Sequence, residues 1–352
     1  MNRRTFLHQV GGAAVAISGG LEAGGAEGEG RARDRTDSKN WIWAGVDAQA
    51  SPADQQRRFE QYRAFGLDAV LFSGVSPAVF ARAKAQGLAT HAWTWTLCRG
   101  DRDLLEKHPD WYVVSREGKS AATHPPYVGY YHFLCPSRPE VQEHLARQFA
   151  DLADTPDLDG VHLDYIRYPD VILPVALWKQ YNLVQHEELP PYDFCYCAVC
   201  RAAFKAEAGI DPLELADPPA HDAWRAFRYA SVTRLVNRLV DVVHGKGKQI
   251  TAAVFPTPQI ARKLVRQDWV RWNLDAVLPM VYHSFYNEPI AWIEKAVREG
   301  VTALPPSRPL YAGLHLPDLK TDADFDQAVR AARDGGAKGV ALFGGLRQIK
   351  DR

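Results

Sequence analysis

The sequence has no excess of charge of either sign: 42 Lys and Arg stand against 42 Asp and Glu in 352 residues. Without a basic surplus there is no electrostatic footprint for nucleic acid, and no acidic block forms a tail. No membrane anchor is expected either, because the weakly apolar stretch VGGAAVAISGG near the N-terminus is too short to span a bilayer. No glycine-rich phosphate loop follows the first strand-like run, where GVDAQASPAD stands, which speaks against an open dinucleotide-binding sheet. No strand end carries the H-x-H pair or H-x-x-x-D cluster that a metal-dependent deacetylase would use.

What is present is globular: 46% of residues are hydrophobic and 24% charged, enough apolar material for one large core. Residues 1–40 stand apart from it. NRRTFL pairs Arg3 with Arg4 ahead of Phe6 and Leu7, and the Gly- and charge-rich LEAGGAEGEGRARDRTDS cannot pack. This reads as a twin-arginine export signal and flexible linker, with the mature protein periplasmic or secreted.

From Trp41 to the C-terminus, short apolar runs alternate with amphipathic stretches. Strands are expected at 41–47, 69–74, 88–96, 160–169, 249–256, 276–283, 309–317 and 339–345. Among the helical stretches, 51–66 has Ser51 as N-cap, Pro52 in its first turn and Gly66 as its stop. In 221–247, Trp224, Phe227, Ser231, Leu235, Leu239 and Val242 share one face. Eight strands alternating with helices predict a (β/α)8 TIM barrel over 41–352, its eighth helix reduced to a turn after Gly345. An insertion of about 170–220 separates strands four and five and carries cysteines.

Barrel chemistry sits at the C-terminal strand ends. There the sequence offers Asp47, His91, Trp93, Trp95, Asp164, Tyr165, Arg167, Tyr282, His283 and His315, with His132 in the long aromatic loop after strand three. Such a polar, aromatic rim suits a polyhydroxylated ligand, a carbohydrate. His162 and Asp164 alternate with Val161 and Leu163, so both face the barrel interior. An ionised carboxylate there needs a partner, and His162 and Arg167 are the candidates. The structural alternative is an ion pair holding the barrel mouth.

DGVHLDYIRYPD, taken with LDAVLPMVYH, resembles the glycosyl-hydrolase-like family 10 barrels over most of the chain from Trp41 to Phe343. The resemblance implies hydrolysis of an O-glycosidic bond with Asp164 as the central acid; no catalytic cofactor is expected. A fainter similarity links residues 159–166 and Met280-Val281-Tyr282 to family 18 chitinases. Their catalytic glutamate falls on Ile166, which cannot protonate a leaving group, so that mechanism does not carry over. Standard glycoside hydrolysis uses two carboxyls, about 5–5.5 Å apart for retention and roughly 6.5–9.5 Å for inversion. Glu288 and Asp47 are the leading partners, Asp318 the third. A catalytically silent carbohydrate-binding barrel and another polysaccharide-modifying hydrolase are the alternatives.

The insertion holds DFCYCAVCRAAF, with Cys195, Cys197 and Cys200. A Cys195–Cys197 disulfide would be strained, and three thiolates on one turn favour a metal with a fourth ligand. The spacing resembles the zinc cluster of family 42 β-galactosidases, which pairs such a knuckle with an upstream cysteine. Cys135 matches that residue best, Cys98 being the alternate. A structural zinc is the leading expectation, against disulfides with a free thiol or a reduced cluster.

Overall fold

All eight apolar runs become strands. The computed structural model describes residues 39–346, so the twin-arginine segment and any turn after Leu346 lie outside the described residues. In chain order the elements are β1 (Trp41–Gly45), α1 (Pro52–Ala64), β2 (Ala69–Ser73), α2 (Pro77–Ala85), β3 (Ala89–Trp95), α3 (Arg102–Lys107), α4 (Pro139–Ala153) and β4 (Gly160–Asp164). Then come α5 (Ala198–Ala208), α6 (Asp222–His244), β5 (Gln249–Val254), α7 (Pro258–Val265), β6 (Ala276–Pro279), α8 (Trp292–Ala303), β7 (Ala312–His315), α9 (Asp322–Asp334) and β8 (Val340–Phe343). Short 3-10 turns punctuate the loops.

The strands are parallel, in the order β6-β5-β4-β3-β2-β1-β8-β7. β1 pairs with both β2 and β8. The remaining seam, β6 to β7, is joined by parallel bridges Val277–Leu310 and Met280–Gly313, and Val281 N donates to Gly313 O at 3.0 Å. The sheet thus closes into a (β/α)8 TIM barrel, with no edge strand left open among the described residues.

Local chemistry sets the boundaries. Ser51 Oγ accepts from Asp54 N to start α1, and Thr321 with Asp324 forms a capping box on α9. β4 ends at Asp164, short of the expected 169, because Tyr165 turns into the left-handed region at φ +48°. The buried stripe of α6 includes Trp224, Phe227, Ser231, Leu235 and Leu239 and ends on Val243 rather than Val242.

Inside the barrel, rings stack in tiers. At the foot Trp41 packs edge-on against His91, centroids 5.0 Å apart, and against Tyr311 at 5.4 Å. Gly160 makes room for that imidazole, since a Cβ there would stand 2.4 Å from His91 Cε1 and 2.7 Å from Gln249 O. Above it, Trp43 Nε1 donates to His162 Nε2 at 3.1 Å and His162 Nδ1 contacts Thr251 Oγ1 at 2.8 Å. Burial pushes the His162 imidazole well below its usual range, so it is neutral, donating to Thr251 and accepting from Trp43.

The chain between β4 and α6 leaves the barrel frame and zips to the loop after β3. Ser115 bridges Phe194, Tyr196 N donates to Val114 O at 2.8 Å, and Arg116 N donates to Asp193 O at 2.9 Å. A fully buried ion pair, Arg228 with Asp193, fixes the segment to α6.

Candidate active site

Asp164 is the last residue of β4 and is half-buried at the barrel mouth. Its Oδ2 accepts from Trp93 Nε1 at 3.0 Å and its Oδ1 from Tyr165 N at 2.7 Å. Burial raises its pKa, and the Trp93 and Tyr165 donors and the Arg167 charge offset that only in part. The carboxyl is therefore kept in its acid form to higher pH than an ordinary aspartate.

The floor beside it is aromatic. Trp93 meets Phe343 edge-to-face at 6.2 Å, and Phe343 stacks on Tyr282 at 6.0 Å and lies 5.9 Å from the His315 ring. Tyr282 also packs on His315 at 5.2 Å. Burial raises the Tyr282 phenol well above its usual range, and the charges of Asp164 and Asp318 add to this, so the hydroxyl stays protonated.

Beyond that floor, His315 Nδ1 lies 2.8 Å from Asp318 Oδ2, and Ser284 Oγ donates to the same oxygen. Burial works against the Asp318 charge, but the His315 and Ser284 contacts outweigh it and hold the carboxyl below its usual range. His283 is half-buried nearby, and burial lowers its imidazole against the pull of Asp318. On the other side, Trp95 packs on Tyr165 at 4.6 Å and on Tyr130 at 5.7 Å, both half-buried.

The structure thus brings together Asp164, Trp93, Tyr282, His283 and His315, with Trp95 and Tyr165 as a second wall. The other expected residues lie elsewhere. His91 is fully buried at the barrel foot, where desolvation drops its pKa to about 4; it shares a face with Trp93 but not its depth. His132 is engaged in the loop after β3, its Nδ1 2.7 Å from Ala121 O. Arg167 is buried, bonded to Asp170 at 2.9 Å, with Tyr131, Phe133, Tyr165 and Phe255 around it. It tunes the site through its charge rather than offering a free fork to sugar.

Glu288 is exposed after the left-handed Asn287, and Asp47 is exposed 3.9 Å from Arg58. Neither shares the Tyr282 surroundings; Asp318 does. Reading the sequence missed Ser284, Trp43 and Asp170. Only the last left a signal, the i,i+3 spacing of Arg167 and Asp170.

Cys135, Cys195, Cys197 and Cys200 are all buried, their sulfurs within 4.8 Å of one another, and could hold a metal ion. Cys135 Sγ is 3.5 Å from Cys200 Sγ and 3.7 Å from Cys197 Sγ, and Val114 N points at Cys195 Sγ from 3.4 Å. Cys98 stands apart, its Sγ against Tyr130 O and its thiol pushed up to about 12 by burial.

The profile of a family described as glycosyl hydrolase-like 10 matches residues 74–328. No curated protein matches the sequence. Among solved structures, the PgaB (BpsB) glycoside hydrolase domain from Bordetella bronchiseptica is similar, with 14% identity and a TM-score of 0.62 over 88% of this chain and 94% of that one. The β-galactosidase of the psychrophilic Marinomonas ef1 aligns with 13% identity and a TM-score of 0.61, over 88% of this chain but 55% of that one. The catalytic domain of a Paenibacillus polymyxa β-amylase aligns with 12% identity and a TM-score of 0.55, over 87% and 92%. At these identities the likeness is one of fold.

Proposed function

The chain belongs to the glycosyl hydrolase-like 10 family, which makes it a protein of glycosidase type, and on that premise we propose that it cleaves an O-glycosidic bond of an oligo- or polysaccharide with Asp164 as proton donor. The observation that carries the reading is the setting of Asp164. It ends a barrel strand at the catalytic face, is half-buried with a raised pKa, and stands beside aromatic rings able to stack on a sugar. A carboxyl that holds its proton to higher pH suits departure of a sugar oxygen, because an alkoxide leaves poorly unless it is protonated as the bond breaks. Ile166, where a chitinase-like acid would stand, is fully buried in the apolar core, so Asp164 takes that role alone.

The four cysteines fit a structural zinc. A tetrahedral ion with Zn–S bonds of about 2.3 Å spaces its sulfurs about 3.8 Å apart, close to the 3.5 and 3.7 Å found for Cys135. Such an ion would staple the loop after β3 to the segment after β4, remote from the proton chemistry. An all-sulfur set leaves no open coordination position. The Arg3-Arg4 pair supports export through the twin-arginine route, which accepts folded, metal-loaded chains.

The test is release of reducing ends from a panel of poly- and oligosaccharides by wild type and Asp164→Asn. The proposal expects a substrate that wild type cleaves and the variant binds but does not turn over. Glycan binding without cleavage by wild type would instead favour a silent carbohydrate-binding barrel.

A further inference from the structure

Resting on the glycosidase reading, the question is which group handles the second proton. β4 and β7 stand nearly opposite each other in the eight-stranded circle, three places apart one way and five the other. Between their ends lie Trp93 and Phe343. Two ring-to-ring steps, of 6.2 and 5.9 Å, lead from the indole bonded to Asp164 to the His315 imidazole. Tyr282 leans on that imidazole and is in electrostatic reach of both Asp164 and Asp318. The imidazole is clamped by Tyr282, Phe285 and Phe343. Its Nδ1 is buried 2.8 Å from Asp318 Oδ2, so Nε2 is the ring nitrogen not turned to Asp318.

We propose that His315, oriented by Asp318, is the base that takes a proton from the attacking water while Asp164 protonates the leaving oxygen, so that hydrolysis inverts the anomeric centre. In that step the water oxygen bonds to the anomeric carbon and the glycosidic C–O bond breaks. The bonding pair passes to the leaving oxygen, which takes the Asp164 proton. The proton lost by water goes to His315 Nε2, and both groups return to their starting states by exchange with solvent. Asp318 acts through His315: its carboxylate fixes the tautomer and stabilises the imidazolium that forms. Ser284 holds Asp318 in turn. Direct attack by a water that His315 deprotonates is single displacement, with no covalent glycosyl intermediate.

The deciding experiment is proton NMR of the first-formed product anomer from wild-type hydrolysis of an oligosaccharide of known configuration. Inversion is expected, and retention overturns the proposal while leaving the glycosidase reading standing. Complete lack of cleavage overturns both. With the same substrate, His315→Gln and Asp318→Asn are expected to lower kcat by about 10²–10⁴-fold with KM nearly unchanged, because the sugar's ring contacts remain. Unchanged kcat in folded His315→Gln protein also overturns the proposal. The NMR result needs no variant to fold.

Discussion

Trp93 and Asp164 lie on neighbouring strands, and the indole Nε1–H donates to the carboxyl at 3.0 Å. That bond favours the ionised form, so it restrains a pKa that burial drives upward. A proton donor works only below its pKa. Trp93→Phe removes the restraint, and the alkaline limb of the kcat/KM profile is expected to move to higher pH. A limb that stays in place would separate Trp93 from the tuning of Asp164.

The same raised pKa has a stability cost. Folded Asp164 holds its proton more tightly than unfolded aspartate, whose pKa is about 3.9. Its favourable contribution is present below that value and is lost as pH rises through the folded pKa. Asp164→Asn is therefore expected to melt at a higher temperature than wild type near neutral pH, with the difference shrinking in acid. Calorimetry across pH checks this.

Asp193 and Arg228 form an ion pair from which water is excluded on both sides. Asp193→Asn leaves a buried guanidinium without its counter-charge and is expected to cost about 3–5 kcal/mol. Urea denaturation measures the loss. The insertion should detach first, so probes there should report unfolding before probes in the barrel.

The architecture was readable because each strand is a short apolar run ending in polar residues and alternates with a helical stretch, the pattern of a parallel sheet buried on both faces. The spacing of Cys195, Cys197 and Cys200 suggested a metal knuckle, and the resemblance to the family 42 β-galactosidase cluster pointed to Cys135, rather than Cys98, as the residue that meets them. Depth and register were not. Alternation told which face His91 and Trp93 share, but a shared face does not mean a shared depth: two residues earlier on β3, His91 sits lower, at the foot against Trp41. His162 was one of two candidate partners for Asp164, Arg167 being the other. Two residues along a strand are about 6.6 Å apart, so His162 turned to Trp43 and Thr251 instead. The His315–Asp318 contact depends on a 3-10 turn after β7, and nothing in LHLPD announces which way that turn points.

For the cysteines, protein purified without chelator is expected to carry about one zinc per chain, and Cys135→Ser to lower both metal content and melting temperature. Elemental analysis decides. Less than about half an equivalent in fresh, folded protein would contradict the closed tetrathiolate site.

The role of Asp164 is tested most directly by how its loss depends on the leaving group. Kinetics of wild type and Asp164→Asn are compared on a natural glycoside and on an aryl glycoside whose phenol leaves without protonation. As proton donor, Asp164 should give a loss of about 10²–10⁴-fold on the natural substrate and little loss on the activated one. Equal losses on both, or none on either, would contradict it.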